Sequence, residues 1–202
     1  MKNSVEELYN VLSHSKFLSM KGLANEVPIF IKTYNPKDEI EMEKTIDALV
    51  SRLKSAGISV VLADLFDLVI DILQDDGRMD RIIEIEAKTD KCKVLEMLKN
   101  CSDPKKNLIP RLVKVISKPD IKLTLIKGIG KVYPFLRTHT ILENLQPEMM
   151  PHPVVIFFPG EYTYDEEFGS QLRLFGDIAD QPQNSKLKKS YYRAFNLDQY
   201  KV

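Results

Sequence analysis

The sequence is poor in the residues and patterns that mark several large classes of protein. It has no tryptophan, two cysteines and three histidines among 202 residues. Its apolar runs are far shorter than the roughly 20 residues of a membrane-spanning helix. Cys92 and Cys101 lack CxxC spacing, and the polar start of the chain does not resemble a signal peptide. We therefore expect a soluble protein of the reducing cytoplasm, with no disulfide framework and no contact with a membrane.

The chain also lacks net charge, because 29 lysines and arginines balance 29 acidic residues. This balance argues against the strongly basic surface that is typical of a nucleic-acid-binding protein. Contact with nucleic acid would need a local patch, and a basic group interleaved with Tyr191 and Tyr192 is one candidate. That group consists of Lys186, Lys188, Lys189 and Arg193. Surface solubility explains the same charges at least as well.

Four apolar segments of strand length alternate with helical segments. They are Val27 to Tyr34, Ile58 to Ala63, Ile121 to Lys127, and the run PHPVVIFFPGEY. In the last run the buried strand is expected to stop at Pro159-Gly160, which places Glu161 and Tyr162 at the edge of the sheet. Asn35 followed by Pro36 is typical of a helix start, with an N-cap and a proline at the first helical position. This alternation predicts a three-layer α/β fold: a mostly parallel sheet with helices on both faces, Rossmann-like or degenerate P-loop-like.

The whole chain, residues 1–202, is predicted to form a single α/β domain. Residues 1–25 hold an N-terminal helix, predicted from Ser4 to Leu23. A helical excursion, including the charged segment Arg78 to Asn100, separates the second and third strands. A further helix is predicted from near Pro134, and short strands at Leu172 to Phe175 and Tyr191 to Leu197. The loop at 176–190 is predicted to be flexible.

The turn Gly128-Ile129-Gly130-Lys131 follows the third strand, where backbone N–H groups can bind a phosphate. It is not a Walker A loop, because Leu125 stands where the first glycine belongs and Val132 replaces the hydroxyl that holds magnesium. The Rossmann fingerprint also fails, since Tyr133 occupies the position of its third glycine. A tight turn after a buried strand explains the two glycines without any ligand.

Other candidate chemistry is incomplete in the sequence. Glu84-Ile85-Glu86-Ala87-Lys88 offers the acid and lysine of a metal-dependent nuclease, but its composition favours a solvated helix. His139 lies on the core-facing side of its predicted helix and is expected to be structural, whereas Arg137 lies outward and is free to bind an anion or a partner. No G-x-S-x-G elbow occurs. We therefore predict no catalytic residue, no metal and no cofactor.

An acidic cluster follows the fourth strand, formed by Glu161, Asp165, Glu166 and Glu167. Paired carboxylates can serve acid–base or metal chemistry, but acidic runs are more often solvated loops. Parallel strands place their carboxyl ends on one edge, where ligands and partners approach. The predicted binding surface is the set Asn35, Asp64, Gly128, Gly130, Lys131, Arg137, Glu161 and Tyr162.

Several blocks of the sequence together resemble one family. They are IFIKTYNPKDE, GIGKVYPFLRTHTILENL, VVIFFPGEY, LRLFG and RAFNL. The most specific patterns are G-x-G-x-x-x-P-F-x-R-x-H, from Gly128 to His139, and F-F-P-G-E-Y, from Phe157 to Tyr162. On these residues the chain is similar to the BrxB-type small component of BREX bacteriophage-defence systems. The segments after Tyr162 and Gly176 are longer than the family's usual connections.

This resemblance implies a cytoplasmic subunit of a multi-gene defence system. The absence of a complete catalytic or Walker A motif separately predicts that the chain is not an enzyme. It implies as partners other BREX components, above all the phosphatase-like PglZ protein. It carries no established catalytic residue onto this chain. Two hypotheses follow: a non-enzymatic interaction subunit that docks PglZ, or a module that binds nucleotide or nucleic acid without hydrolysing it.

Overall fold

The structure, a computed structural model, describes residues 4–21, 27–146, 150–165, 169–176, 178–179 and 194–201. Its helices are α1 (Val5–Leu12), α2 (Ser15–Leu18), α3 (Glu39–Ser55), α4 (Leu65–Asp75), α5 (Met79–Glu86), α6 (Lys91–Cys101), α7 (Ile109–Ile116) and α8 (Thr138–Leu145). Its strands are β1 (Ile29–Tyr34), β2 (Val60–Asp64), β3 (Leu123–Lys127), β4 (Val154–Asp165), β5 (Gly169–Leu174), β6 (Ile178–Ala179) and β7 (Phe195–Asn196). Short 3-10 turns cover Pro36–Asp38 and Leu197–Gln199, and one π turn covers Pro104–Leu108.

The sheet is mostly parallel, as predicted. Its strands run in the order β2-β3-β4-β1-β7, and every neighbouring pair in that series is parallel. The distal half of β4 pairs antiparallel with β5, which pairs antiparallel with β6. The chain thus combines a parallel sheet with a small antiparallel extension at one end of β4.

Helices cover both faces of the sheet. Side chains on a strand alternate between its two faces, so neighbouring residues of one strand pack against different helices. On β4, Val155 and Phe157 pack with α1, α2 and α3, while Val154, Ile156 and Phe158 pack with α4 to α8. The connection from β1 to β2 runs toward one edge of the sheet, and those from β2 to β4 run back. Right-handed crossovers in opposite directions place their helices on opposite faces, so this order yields the three layers.

The helical excursion between the second and third strands is present and comprises α4 to α7. Some predicted boundaries were wrong. The predicted N-terminal helix is two short helices, because His14 caps α2 through a bond from the N–H of Lys16 to Nδ1. The charged segment 78–100 is likewise split into α5 and α6, and Asp90 caps the second of these. The helix predicted from near Pro134 begins at Thr138, after a series of turns.

The end of the fourth strand is the largest departure from the sequence prediction. Pro159 and Gly160 were expected to end the strand, but β4 continues through them to Asp165. The pairing with β1 ends at Pro159 and the pairing with β5 begins at Gly160. A Cβ at Gly160 would lie 2.0 Å from the carbonyl oxygen of Arg173. The glycine therefore permits the close approach of β5 where β4 changes partner.

Within the described ranges, no helix is long and apolar enough to cross a membrane. The basic group at 186–193 lies outside the described residues, as do most of the predicted flexible loop and the acids Glu166 and Glu167. The predicted last strand is described only from residue 194, and it forms the two-residue strand β7 beside β1.

Candidate functional site

Four parallel strands end at the same edge of the sheet, which we call the carboxyl edge. In the register, Tyr34 of β1 lies opposite Pro159 of β4, and Asp64 of β2 lies opposite Lys127 of β3. The segments that follow these strands therefore emerge side by side. This edge is where partners and ligands bind in many open α/β sheets.

Asp64 and Gly128 are in direct contact at the carboxyl edge. The Asp64 carboxylate caps α4, because its Oδ1 accepts a hydrogen bond of 2.9 Å from the N–H of Phe66. Gly128 has a φ of +84°, and a Cβ there would lie 2.5 Å from the same Oδ1. A side chain at position 128 would therefore displace the carboxylate, so this glycine serves the packing of the turn against β2.

Lys131 is held by acidic side chains from two other elements. Its Nζ donates to Oε1 of Glu43 on α3 and lies 3.8 Å from Oδ2 of Asp64. Lys127 Nζ lies 3.7 Å from the same Asp64 oxygen. The hydrogen bond from Lys131 lowers the pKa of Glu43 despite partial burial, and Glu43, followed by the more distant Asp64, raises the pKa of Lys131. The two charged forms stabilise each other.

This pairing bears on the phosphate hypothesis for the turn from Gly128 to Lys131. A phosphate bound there would have to draw Lys131 away from Glu43 and would then face the carboxylates of Glu43 and Asp64. Like charges at such range oppose binding. The turn is thus arranged to connect β2, β3 and α3 through charge rather than to present a cation to a ligand.

Tyr34 at the end of β1 joins the same edge. Its hydroxyl donates a hydrogen bond of 2.5 Å to Oε2 of Glu39 in the first turn of α3. Burial is the main cause that raises the pKa of Tyr34, and the hydrogen bond to Glu39 adds to it. The phenol therefore stays protonated at neutral pH and acts as a donor that fixes the start of α3.

Gly130 and Arg137 lie beside an aromatic group on the β4 side of the turn. A Cβ at Gly130 would meet the Phe175 ring at 3.1 Å and Pro159 at 3.2 Å. The rings of Tyr133 and Phe175 meet edge to face with centroids 6.2 Å apart. The Arg137 guanidinium lies over the Tyr133 ring, with Cζ 5.7 Å from its centroid. Arg137 is half-buried beside this aromatic pair.

The remaining predicted residues are more dispersed. Asn35 is exposed and its Oδ1 accepts a bond of 3.0 Å from the N–H of Lys37, the predicted cap of the following helical turn. Glu161 is exposed and lies opposite Arg173 on the antiparallel extension. Tyr162 is half-buried, and its hydroxyl donates to the carbonyl oxygen of Ala194 at 2.7 Å. The structure therefore brings together Asp64, Gly128, Gly130 and Lys131, and gives Asn35 and Tyr162 bonds that stabilise the fold.

Sequence reasoning missed the apolar side chains at this edge. Four large hydrophobic residues are exposed in the described part of the chain: Ile40 (75%), Phe66 (38%), Phe175 (40%) and Ile83. Three of them, Ile40, Phe66 and Phe175, follow β1, β2 and β5 and belong to the carboxyl edge. For Ile40 a signal existed, because it lies off the buried stripe that begins at Met42 in α3.

Other predicted features are placed as follows. His139 is buried, so its predicted position on the core-facing side of α8 is confirmed. Among the described side chains, no group of three or more histidine, cysteine or acidic residues is arranged to hold a metal ion. The carboxyl edge thus combines paired charges with exposed apolar side chains.

Comparison with known proteins gives a consistent family. The family described as "BREX protein BrxB" matches residues 61–197. A BREX protein BrxB of Bacillus cereus (strain H3081.97) is 32% identical over 196 residues, covering 96% of this chain and 95% of that protein. Its counterpart from Escherichia coli O9:H4 (strain HS) is 25% identical over 195 residues, covering 96% and 89%. No solved structure matches the chain.

Proposed function

Because the chain belongs to the BrxB family of BREX proteins, we propose that it is a non-enzymatic assembly subunit of a BREX phage-defence complex and docks the phosphatase-like PglZ component. The docking surface in this proposal is the carboxyl edge of the sheet. The subunit works in the cytoplasm, alongside the other BREX components. The observation that carries the proposal is the group of exposed apolar side chains around paired charges at that edge.

The pairing of the charges supports a structural role for them. Lys131 binds Glu43, Asp64 lies beside both Lys127 and Lys131, and Tyr34 donates to Glu39. A general base or a nucleophile must be able to exchange its partner for a substrate. These groups instead connect the ends of β1, β2 and β3 to α3, which makes the edge a rigid surface.

The apolar side chains support the docking role. A large side chain that stays in water on the free subunit gains free energy when a partner covers it. Ile40, Phe66 and Phe175 are spread over segments that follow three different strands, so a partner that covers them contacts most of the edge. Aromatic residues, phenylalanine among them, are also enriched in the cores of protein interfaces relative to the rest of the surface.

The matched pair Ile40 and Ile83 provides the test. Both are exposed isoleucines on helices, 75% and 58% accessible, but Ile83 lies on α5 outside the carboxyl edge. Binding of the purified chain to PglZ from the same BREX system would be measured by calorimetry. We expect Ile40→Ser to weaken binding about tenfold or more, the effect of a central interface residue. Ile83→Ser should leave the affinity unchanged.

Phe66→Ser is the second variant, since it removes an aromatic side chain at the end of a different strand. Absence of association at micromolar concentrations would contradict the docking proposal. Equal effects of Ile40→Ser and Ile83→Ser would leave docking in place but exclude the carboxyl edge as its surface. Hydrolysis of ATP, GTP or a phosphate ester by the purified chain would contradict the non-enzymatic role.

A further inference from the structure

A cavity of about 340 Å³ lies in the helical excursion, at the start of α5 and the end of α6. Its lining residues are Arg78, Arg81, Ile82, Met97, Asn100 and Cys101. None of these residues belongs to the segments that form the carboxyl edge. The cavity is therefore a site that the docking role does not use, and its volume lies in the range of small-molecule sites.

The polar part of the lining is rich in hydrogen-bond donors. It consists of two guanidinium groups, from Arg78 and Arg81, and the amide of Asn100. The side chains of Arg81 and Asn100 form no hydrogen bond or ion pair with the described remainder of the chain. No carboxylate lies among the described lining residues. Donors that have no protein partner and no neighbouring acid in the lining are suited to an anion.

Arg78, the second arginine of the lining, is held in place by contacts with other residues of the chain. Its Nε lies 3.6 Å from Oδ2 of Asp76, and its Nη1 lies 3.3 Å from Sγ of the buried Cys101. Asp76 offsets one of the two positive charges, so the group retains a net charge of about +1 on this simple count. A guanidinium that is already positioned loses less conformational freedom when it binds a ligand.

The other part of the lining is apolar. Ile82 and Cys101 are buried and Met97 is half-buried, and these three side chains form the apolar wall of the cavity. Methionine adapts to flat or irregular ligand surfaces. Inorganic phosphate would contact the donors but would leave this wall and most of the cavity unfilled. The lining therefore favours an anion that carries a sizeable apolar group.

We propose that this cavity binds a small organic phosphate of the nucleoside monophosphate class. The phosphate lies against Arg78, Arg81 and Asn100, and the base lies on Met97 and Ile82. A phosphate monoester has three terminal oxygens, which match these donors better than the two oxygens of a carboxylate. Arginine is also the side chain whose planar fork pairs best with phosphate oxygens.

Calorimetry with adenosine monophosphate, guanosine monophosphate, adenosine and inorganic phosphate tests the proposal on the full chain. The wild type should bind at least one of the two monophosphates and should bind adenosine and phosphate at least tenfold more weakly. Arg81→Ala should weaken monophosphate binding about ten- to hundredfold, the effect of losing a charge-assisted hydrogen bond. Because the Arg81 side chain is exposed and makes no hydrogen bond or ion pair with the described part of the chain, the melting temperature of the Arg81→Ala variant should match that of the wild type.

Lys114→Ala is the matched control, since it removes one positive charge from an exposed position on α7 outside the lining. It should bind the monophosphate as the wild type does. The proposal is overturned if neither monophosphate binds at millimolar concentration, or if inorganic phosphate binds equally well. It is also overturned if Arg81→Ala and Lys114→Ala behave alike. In a Cys92→Ser background, a bound monophosphate should slow the labelling of Cys101 by a thiol reagent, whereas an unchanged rate overturns the assignment to this cavity.

Discussion

Lys32 offers the sharpest test of how the C-terminal segment is attached to the sheet. It lies in the middle of β1, and its side chain is only 1% exposed. Its Nζ donates a hydrogen bond of 2.5 Å to Oδ1 of Asp198, which lies in the 3-10 turn after β7. Asp198→Ala would leave the ammonium group buried without its counter-charge.

The expected cost follows from the exposure of the two partners. Breaking a fully buried ion pair by removing one member costs about 3–5 kcal/mol. The Asp198 side chain is 41% exposed, so water reaches the pair from that side and lowers the cost. We expect a loss of about 2–3 kcal/mol in the free energy of unfolding. For a chain of this size that corresponds to a fall of about 4–12 °C in melting temperature.

Urea unfolding followed by circular dichroism measures this change. Lys32→Met is the companion variant, because it replaces the ammonium group with an apolar chain of similar length that needs no partner. Asp198→Ala in the Lys32→Met background should cost far less than in the wild type. The reasoning is refuted if Asp198→Ala alone costs under about 0.5 kcal/mol, the range of an ordinary surface substitution.

Three further predictions concern Gly160 and Glu43 near the carboxyl edge, and His152 at the opposite end of β4. Gly160→Ala should lower the melting temperature markedly, since its Cβ would lie 2.0 Å from the Arg173 carbonyl oxygen; an unchanged melting curve would show that β5 does not approach so closely. Glu43→Gln should destabilise the chain at neutral pH, because Lys131 lowers the pKa of Glu43. A carboxyl group whose pKa is lowered in the folded state stabilises the fold at pH values above its ordinary pKa of 4.5, and this stabilisation is lost as the pH falls below that value. The melting temperatures of wild type and variant should therefore converge when thermal melts are repeated at increasingly acidic pH. His152 is buried, which lowers its pKa from 6.5. The folded state then binds fewer protons than the unfolded state, so stability should fall as pH drops below about 6.5, and His152→Gln should remove that part of the slope.

The alternation of apolar strands and helices was sufficient to predict the layers of this fold. The strands β1, β2 and β3 each end within one residue of their predicted ends at Tyr34, Ala63 and Lys127. Caps could be predicted for the same reason, because the hydrogen bond that the N–H of Lys37 donates to Oδ1 of Asn35 joins residues only two positions apart. Local bonds and burial patterns depend on the chain near them, so the sequence reveals them.

The site was only partly predictable, because its contacts join distant segments. Parallel strands predicted that Asp64 and Gly128 would lie on one edge, and they touch. Nothing near Lys131 in sequence indicated that Glu43, 88 residues away, would bind it. The exposure of Phe66 and Phe175 was equally hidden, since a large apolar residue in an amphipathic segment is usually part of the core.

The layers of the fold, its predominantly parallel sheet and its family all follow from the order of residues along the chain. The layers and the sheet rest on periodic burial, which each segment carries within itself, and the family rests on the similarity of the chain to BrxB proteins. The role of the Pro159-Gly160 pair depends on the folded arrangement, in which the strand does not stop there but exchanges its partner β1 for β5. The pairing of Lys131 with Glu43, and the lack of a side-chain partner for Arg81 in the described part of the chain, also depend on the folded arrangement. They are set by distances between segments that come together only when the chain folds.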